Sequence, residues 1–145
     1  MVTTTLHRQV EKRLMDNDAR YTRGRRIVVD ALAEAEGPRS AAELTNQHDG
    51  VPLSSLYRTL AVLEEADIVT PHLATKGIAR YELAEWLTGH HHHLVCVECG
   101  QVDDVVVPPD LESQVDRIVN AIASRAGFTA IGHALEIEGR CARCT

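Results

Sequence analysis

Aromatic side chains are nearly absent from this chain: one Trp, three Tyr and one Phe stand among 145 residues. Any core must therefore be aliphatic, and a hydrophobic content of 44% is enough to build one. Long apolar runs are missing too. None approaches the roughly 18 residues a membrane span needs, and no apolar segment follows Met1-Val2-Thr3-Thr4-Thr5-Leu6-His7-Arg8. Neither a spanning helix nor a secretory signal is expected, and the default location is the cytoplasm. Cysteine is lacking before residue 96 and then comes as Cys96, Cys99, Cys141 and Cys144. In a reducing compartment, paired CxxC motifs read as metal ligands or redox centres rather than structural disulfides. A positive balance is also lacking: the net charge is −6, which alone argues against nucleic acid. The distribution argues otherwise. Residues 1–26 carry 7 basic and 3 acidic side chains, whereas residues 85–145 carry 4 and 9. Positive charge is gathered where it can meet phosphates, and negative charge where it can hold cations.

What is present has two textures. Residues 7–17 suit an amphipathic helix. Ile27, Val28, Ala31, Leu32 and Ala35 repeat at helical spacing over residues 23–36, with Thr22 as N-cap and Gly37-Pro38 as the stop. Ser40 caps a short helix over 41–47, with Glu43 at the capping-box position. A turn at Asp49-Gly50-Val51-Pro52 leads to Ser54 or Ser55 and a helix over 56–66, with Leu56, Leu60 and Leu63 on one face. Alternation then replaces the helical period: residues 68–73 and 78–83 read as strands around Ala74-Thr75-Lys76-Gly77. Three helices and a hairpin are the order of a winged helix-turn-helix domain. We place it at residues 1–84, with residues 84–89 as a hinge. Residues 85–145 form a second, smaller unit, with strands over 93–97, 101–107 and 128–138. Its helix, over 111–125, carries an apolar stripe of Leu111, Val115, Ile118, Val119 and Ile122. The fold class is α+β. The second unit is too small for a large core, so metal cross-links or dimerisation must add stability.

Two constellations carry chemistry. Cys96-x-x-Cys99 and Cys141-x-x-Cys144 supply four soft ligands, the complement of a closed tetrahedral structural zinc site. A redox pair fits less well, because such motifs open helices and this one joins strands. The second constellation is the internal run His90-His91-His92-His93. On a strand, successive side chains alternate, so His90 and His92 share one face and His91 and His93 the other. Each pair can converge on one ion with further ligands from Glu82, Asp103, Asp104, Glu112 or His133; the alternative is a solvated polar run. His72 reads as a surface histidine that points towards the hinge, and His7 and His48 have no supporting context.

His90-His91-His92-His93-Leu94-Val95-Cys96-Val97-Glu98-Cys99-Gly100 resembles the metal-binding signature of the ferric uptake regulator family. Leu56-Tyr57-Arg58-Thr59-Leu60 is similar to the family's recognition helix. Ala66-Asp67-Ile68-Val69 and Tyr81-Glu82-Leu83 are similar to its wing, and His133 with the Cys141–Cys144 pair to its C-terminal end. The resemblance implies a homodimer with an N-terminal winged helix and a C-terminal α/β dimerisation domain. It implies structural Zn(II) on the four cysteines, a regulatory site of Glu82, His91, His93 and Asp104, and an additional site of His90, His92, Glu112 and His133. The function implied is a metal-dependent repressor, not an enzyme, that binds a palindromic operator in double-stranded DNA. Its co-repressor would be Fe(II), Zn(II) or Mn(II), and Ni(II) also suits the ligands. Ser55, Tyr57 and Arg58 would face the major groove, with Arg20, Arg23, Arg25, Arg26 and Lys76 on phosphates. Two departures stand out. The turn Gly37-Pro38-Arg39 lacks the histidine that iron sensors often place there, and Ala84 to Gly89 lacks the cysteine typical of zinc sensors. An iron-dependent peroxide sensor is the alternative within the family; a zinc hydrolase and a metal buffer are the alternatives outside it.

Overall fold

A computed structural model describes residues 3–47, 51–73 and 77–145. His48, the Asp49-Gly50 turn and Lys76 fall outside the described residues. The first half folds as α1 (Thr4–Asp16), α2 (Arg23–Glu34), β1 (Arg39–Ser40), α3 (Ala41–Gln47), α4 (Leu53–Glu65), β2 (Val69–Leu73) and β3 (Ala79–Leu83). The expected caps are made: Thr22 Oγ1 accepts from the Arg25 N–H at 3.3 Å. Ser40 and Glu43 satisfy each other's backbone N–H groups at 2.9 and 3.2 Å, a closed capping box. β1, β3 and β2 form an antiparallel sheet in that order. The core is aliphatic, with Leu14 and Val29 packed beside Leu56, Leu60, Leu63 and Ile68, all essentially without solvent contact. Each such side chain stabilises the fold by roughly 1.5–3 kcal/mol.

The second half is built of a one-turn helix α5 (Glu85–Thr88), β4 (His92–Cys96), β5 (Val102–Val105), α6 (Pro109–Arg125) and β6 (Glu136–Gly139). β4 is the centre of its sheet, antiparallel to β5 and parallel to β6. Little is buried: among its apolar residues only Val95, Cys96, Val102 and Ala123 are inside. The α6 stripe stays outside in the single chain, with Ile118 and Ile122 at 60% and 65% exposure.

Several boundaries differ from the sequence reading. α2 ends two residues early, because Ala35 turns extended ahead of Gly37-Pro38 and a residue before proline avoids the helical region. α4 starts at Leu53, with Pro52 as a cap that offers no side-chain acceptor. α6 starts at Pro109, where a missing N–H costs the helix nothing. The hinge is helical over α5. The last strand is only four residues long: of residues 128–138 only Glu136–Glu138, with the following Gly139, ladder with β4, and Phe128 and Ile131 turn to solvent.

The two halves touch directly. The Asp104 N–H donates to the Glu36 carbonyl at 3.1 Å. A Cβ on Gly37 would stand 2.4 Å from the Val102 carbonyl oxygen, so only glycine fits this approach of turn to strand.

Candidate metal centres

Among the described residues, three sets of four side chains each hold their donor atoms within 4.8 Å of one another. The first is Cys96, Cys99, Cys141 and Cys144. The parallel pairing of β6 with β4 brings the C-terminus back to the knuckle after β4, and the Val97 N–H donates to the Gly139 carbonyl at 2.9 Å. All four thiols are free. Cys99 Sγ and Cys141 Sγ lie 3.9 Å apart, close to the roughly 3.8 Å edge of a tetrahedron with Zn–S near 2.3 Å. Backbone N–H groups of Cys99 and Cys141 aimed at the Cys96 sulfur pull its thiol down to about 6. The sulfur of Cys141 pushes Cys144 up to about 12. Four sulfurs this close resist collecting negative charge without a cation among them.

The second set is Glu82, His91, His93 and Asp104. Glu82 comes from β3. His93 and Asp104 are direct partners across β4 and β5, and His91 stands on the same face just before β4. Nε2 of His91 and of His93 lie 2.9 and 3.1 Å from Glu82 Oε2, and 3.6 and 3.5 Å from Asp104 Oδ1. Donors about 2.0–2.1 Å from an ion stand roughly 3–3.4 Å apart, so the set has the right size. His91 Nδ1–H donates to the Gly89 carbonyl at 3.1 Å, which leaves Nε2 as the ligand nitrogen. Burial works to raise the Glu82 carboxyl, but hydrogen bonds from His72, His93 and His91 outweigh it and hold the group well below the usual carboxylate range. Burial raises Asp104.

The third set is His90, His92, Glu112 and His133. Glu112 sits in the first turn of α6. Its oxygens lie 3.2, 2.9 and 2.8 Å from Nε2 of His90, His92 and His133. Hydrogen bonding from His92 lowers the Glu112 carboxyl. His133 Nε2 is buried and, despite that proximity, is not aligned for a hydrogen bond; a buried nitrogen without a partner among these donors fits a place for an ion. Asp103, an available carboxylate in the sequence reading, joins none of the sets. Alternation turns it to the other face, where the Gln101 amide donates to it at 2.8 Å.

On α4, Tyr57 and Arg58 are exposed and Ser55 is half-buried, opposite the buried Leu56 and Leu60. Arg20 and Arg23 are exposed and Arg25 half-exposed, and the Arg25 guanidinium donates to the Arg20 carbonyl. Arg26 stacks over the Tyr21 ring at 4.4 Å. Lys76 is outside the described residues.

Sequence reasoning undervalued two histidines. His7 bridges Tyr21 Oη at 2.7 Å and Asp30 Oδ1 at 2.9 Å, joining α1 to α2. His72 reaches Glu82 Oε1 at 2.5 Å. The hairpin register held the signal: Thr70 pairs with Glu82 and His72 with Arg80, so His72 and Glu82 are diagonal neighbours on one face.

The sequence pattern of the Ferric uptake regulator family matches residues 16–138. The chain is 33% identical to a ferric uptake regulation protein of Legionella pneumophila, over 92% of this chain and 96% of that protein. It is 32% identical to one of Bacillus subtilis, over 94% and 92%. Among solved structures, the Vibrio cholerae ferric uptake regulator superposes with a TM-score of 0.70 at 27% identity, covering 90% of this chain and 98% of that one. The Helicobacter pylori regulator shares the fold with a TM-score of 0.76 at 24% identity, over 99% and 94%.

Proposed function

The chain belongs to the ferric uptake regulator family, and on that premise we propose that it is a metal-responsive repressor that binds a palindromic DNA operator as a homodimer in the cytoplasm. One observation carries the reading. Glu82, from the winged-helix half, shares its donor set with His91, His93 and Asp104 from the second half, so this site straddles the junction. A divalent ion there supplies a cross-link between the two halves and offsets the charge of two carboxylates. Glu82 holds the head through β3, and His91, His93 and Asp104 hold the other side through β4 and β5. Heads tied in this way stand at a fixed separation, which two half-sites require, whereas untied heads sample many. The four cysteines hold structural zinc, and His90, His92, Glu112 and His133 form an additional site inside residues 85–145. Residues 1–84 bind DNA, with Ser55, Tyr57 and Arg58 of α4 towards the bases and the arginines near α2 on phosphates. The exposed apolar residues Leu111, Ile118 and Ile122 of α6, with Phe128 and Ile131 beyond it, support an interface between copies. On this reading the chemistry is binding, with no bond made or broken. Nitrogen and oxygen donors fit Fe(II), Mn(II) or Zn(II).

The test is a metal titration of operator binding for His91→Ala beside His90→Ala. His91→Ala is expected to lose metal-dependent binding while the dimer persists; His90→Ala is expected to lower stability or shift the midpoint. Equal defects would merge the two sites into one, and a larger defect in His90→Ala would reverse their roles.

A further inference from the structure

Resting on the assignment of Glu82 to the regulatory site, we propose that His72, on the outer wing strand β2, is the positioning residue of that site: its Nε2–H holds Glu82 Oε1 so that Oε2 faces His91 and His93. Glu82 is a nearly buried carboxylate, at 9% exposure. Its two oxygens are divided between two sides. Oε2 faces Nε2 of His91 and His93 at 2.9 and 3.1 Å, and Oε1 faces His72 Nε2 at 2.5 Å. A buried carboxylate oxygen without a donor is costly, and among the described contacts of Oε1 His72 supplies that donor. The His72 ring is itself confined, tilted against the His93 ring at 4.7 Å between centroids.

The register explains the placement. His72 lies opposite Arg80, two pairs along from the Thr70–Glu82 pair, so it shares a face with Glu82 and approaches it diagonally from the neighbouring strand. The four-residue donor set closes without His72, which separates its role from that of a ligand. Arg39, beyond Pro38, belongs to β1 on the opposite side of β3, so the turn there gives Glu82 no imidazole. β2 therefore fixes the carboxylate, and the wing enters the metal site through two strands rather than one.

Carboxylate ligands are commonly oriented in this way, and loss of such a partner weakens metal binding by about 10–100-fold. The experiment titrates Co(II) into the zinc-loaded dimer and reads both the affinity and the ligand-field absorption. His72→Ala is expected to weaken the site about 10–100-fold. His72→Gln, whose amide N–H reaches about as far as Nε2, is expected to recover most of that loss with an unchanged spectrum. Apo-protein melting checks that both variants fold. Wild-type affinity in His72→Ala, with His91→Ala losing the site, overturns the positioning role alone. A spectrum in His72→Gln that has lost a nitrogen donor overturns it too, by making His72 a ligand. Retention of the site in His91→Ala overturns the underlying assignment instead.

Discussion

Glu82 shows how much can rest on one side chain. It is the carboxylate of the wing, nearly buried, and three imidazoles face it. The bond to Glu82 lifts His72 above the ordinary 6.5. Burial pulls His91 down, but its bonds to the Gly89 carbonyl and to Glu82 outweigh burial and lift it as well. A histidine raised in the folded state stabilises the fold fully below its unfolded value and loses that contribution as pH climbs through the folded one. The metal-free junction is thus held in part by the His91 proton facing Glu82, which a metal ion must replace. Metal binding through His91 should therefore release a proton and tighten as pH rises past the ordinary imidazole value of 6.5. Calorimetry in buffers of different ionisation enthalpy measures that release. Binding without proton release near neutral pH would mean that His91 is already neutral. The alternation of His90 to His93 into two faces was legible in the sequence, because a strand has period two. The use of His72 was not, because it depends on the hairpin register that sets it diagonal to Glu82.

Elements follow local rules where local rules suffice. α2 and α3 begin at Thr22 and Ser40 because those side chains satisfy free backbone N–H groups. α4 buries Leu56, Leu60 and Leu63 and turns Tyr57 and Arg58 outward. If Arg58 reads a base, Arg58→Ala should weaken operator binding by about 1–3 kcal/mol and leave the melting temperature unchanged, since the side chain is outside the core. Gel-shift titrations at several salt concentrations check both the loss and the steep salt dependence expected of phosphate contacts. Operator affinity equal to wild type would remove α4 from the groove. The sequence reading failed over residues 128–135, which it assigned to the last strand. Two large apolar side chains there, Phe128 and Ile131, are exposed in one chain, and an apolar stretch says that a surface is covered without saying by what.

At the scale of the molecule, the core lies almost wholly within residues 6–83, while the second half buries few apolar side chains and leaves one face of α6 bare. A second copy would cover that face. Ile122→Glu places a charge in the centre of it, and a symmetric interface meets the change twice. Losing about 1.5 kcal/mol or more from each copy weakens dimerisation at least roughly 100-fold. Sedimentation should show monomers with unchanged helix content. A variant that stays dimeric at micromolar concentration would move the interface elsewhere.

Sequence alone determined what proximity along the chain can determine: the capped starts of α2 and α3, the alternating faces of the histidine run, the two cysteine knuckles and the two-part order of the fold. Period, capping and ligand spacing are local, so they are written within a few residues. Tertiary structure decided what requires distant residues to meet. It brought Glu82 to His91, His93 and Asp104, Glu112 and His133 to His90 and His92, and His72 to Glu82. It also seated the Glu36–Gly37 turn against β5. Those meetings follow from strand register and from the packing of one half on the other, and no local pattern encodes them.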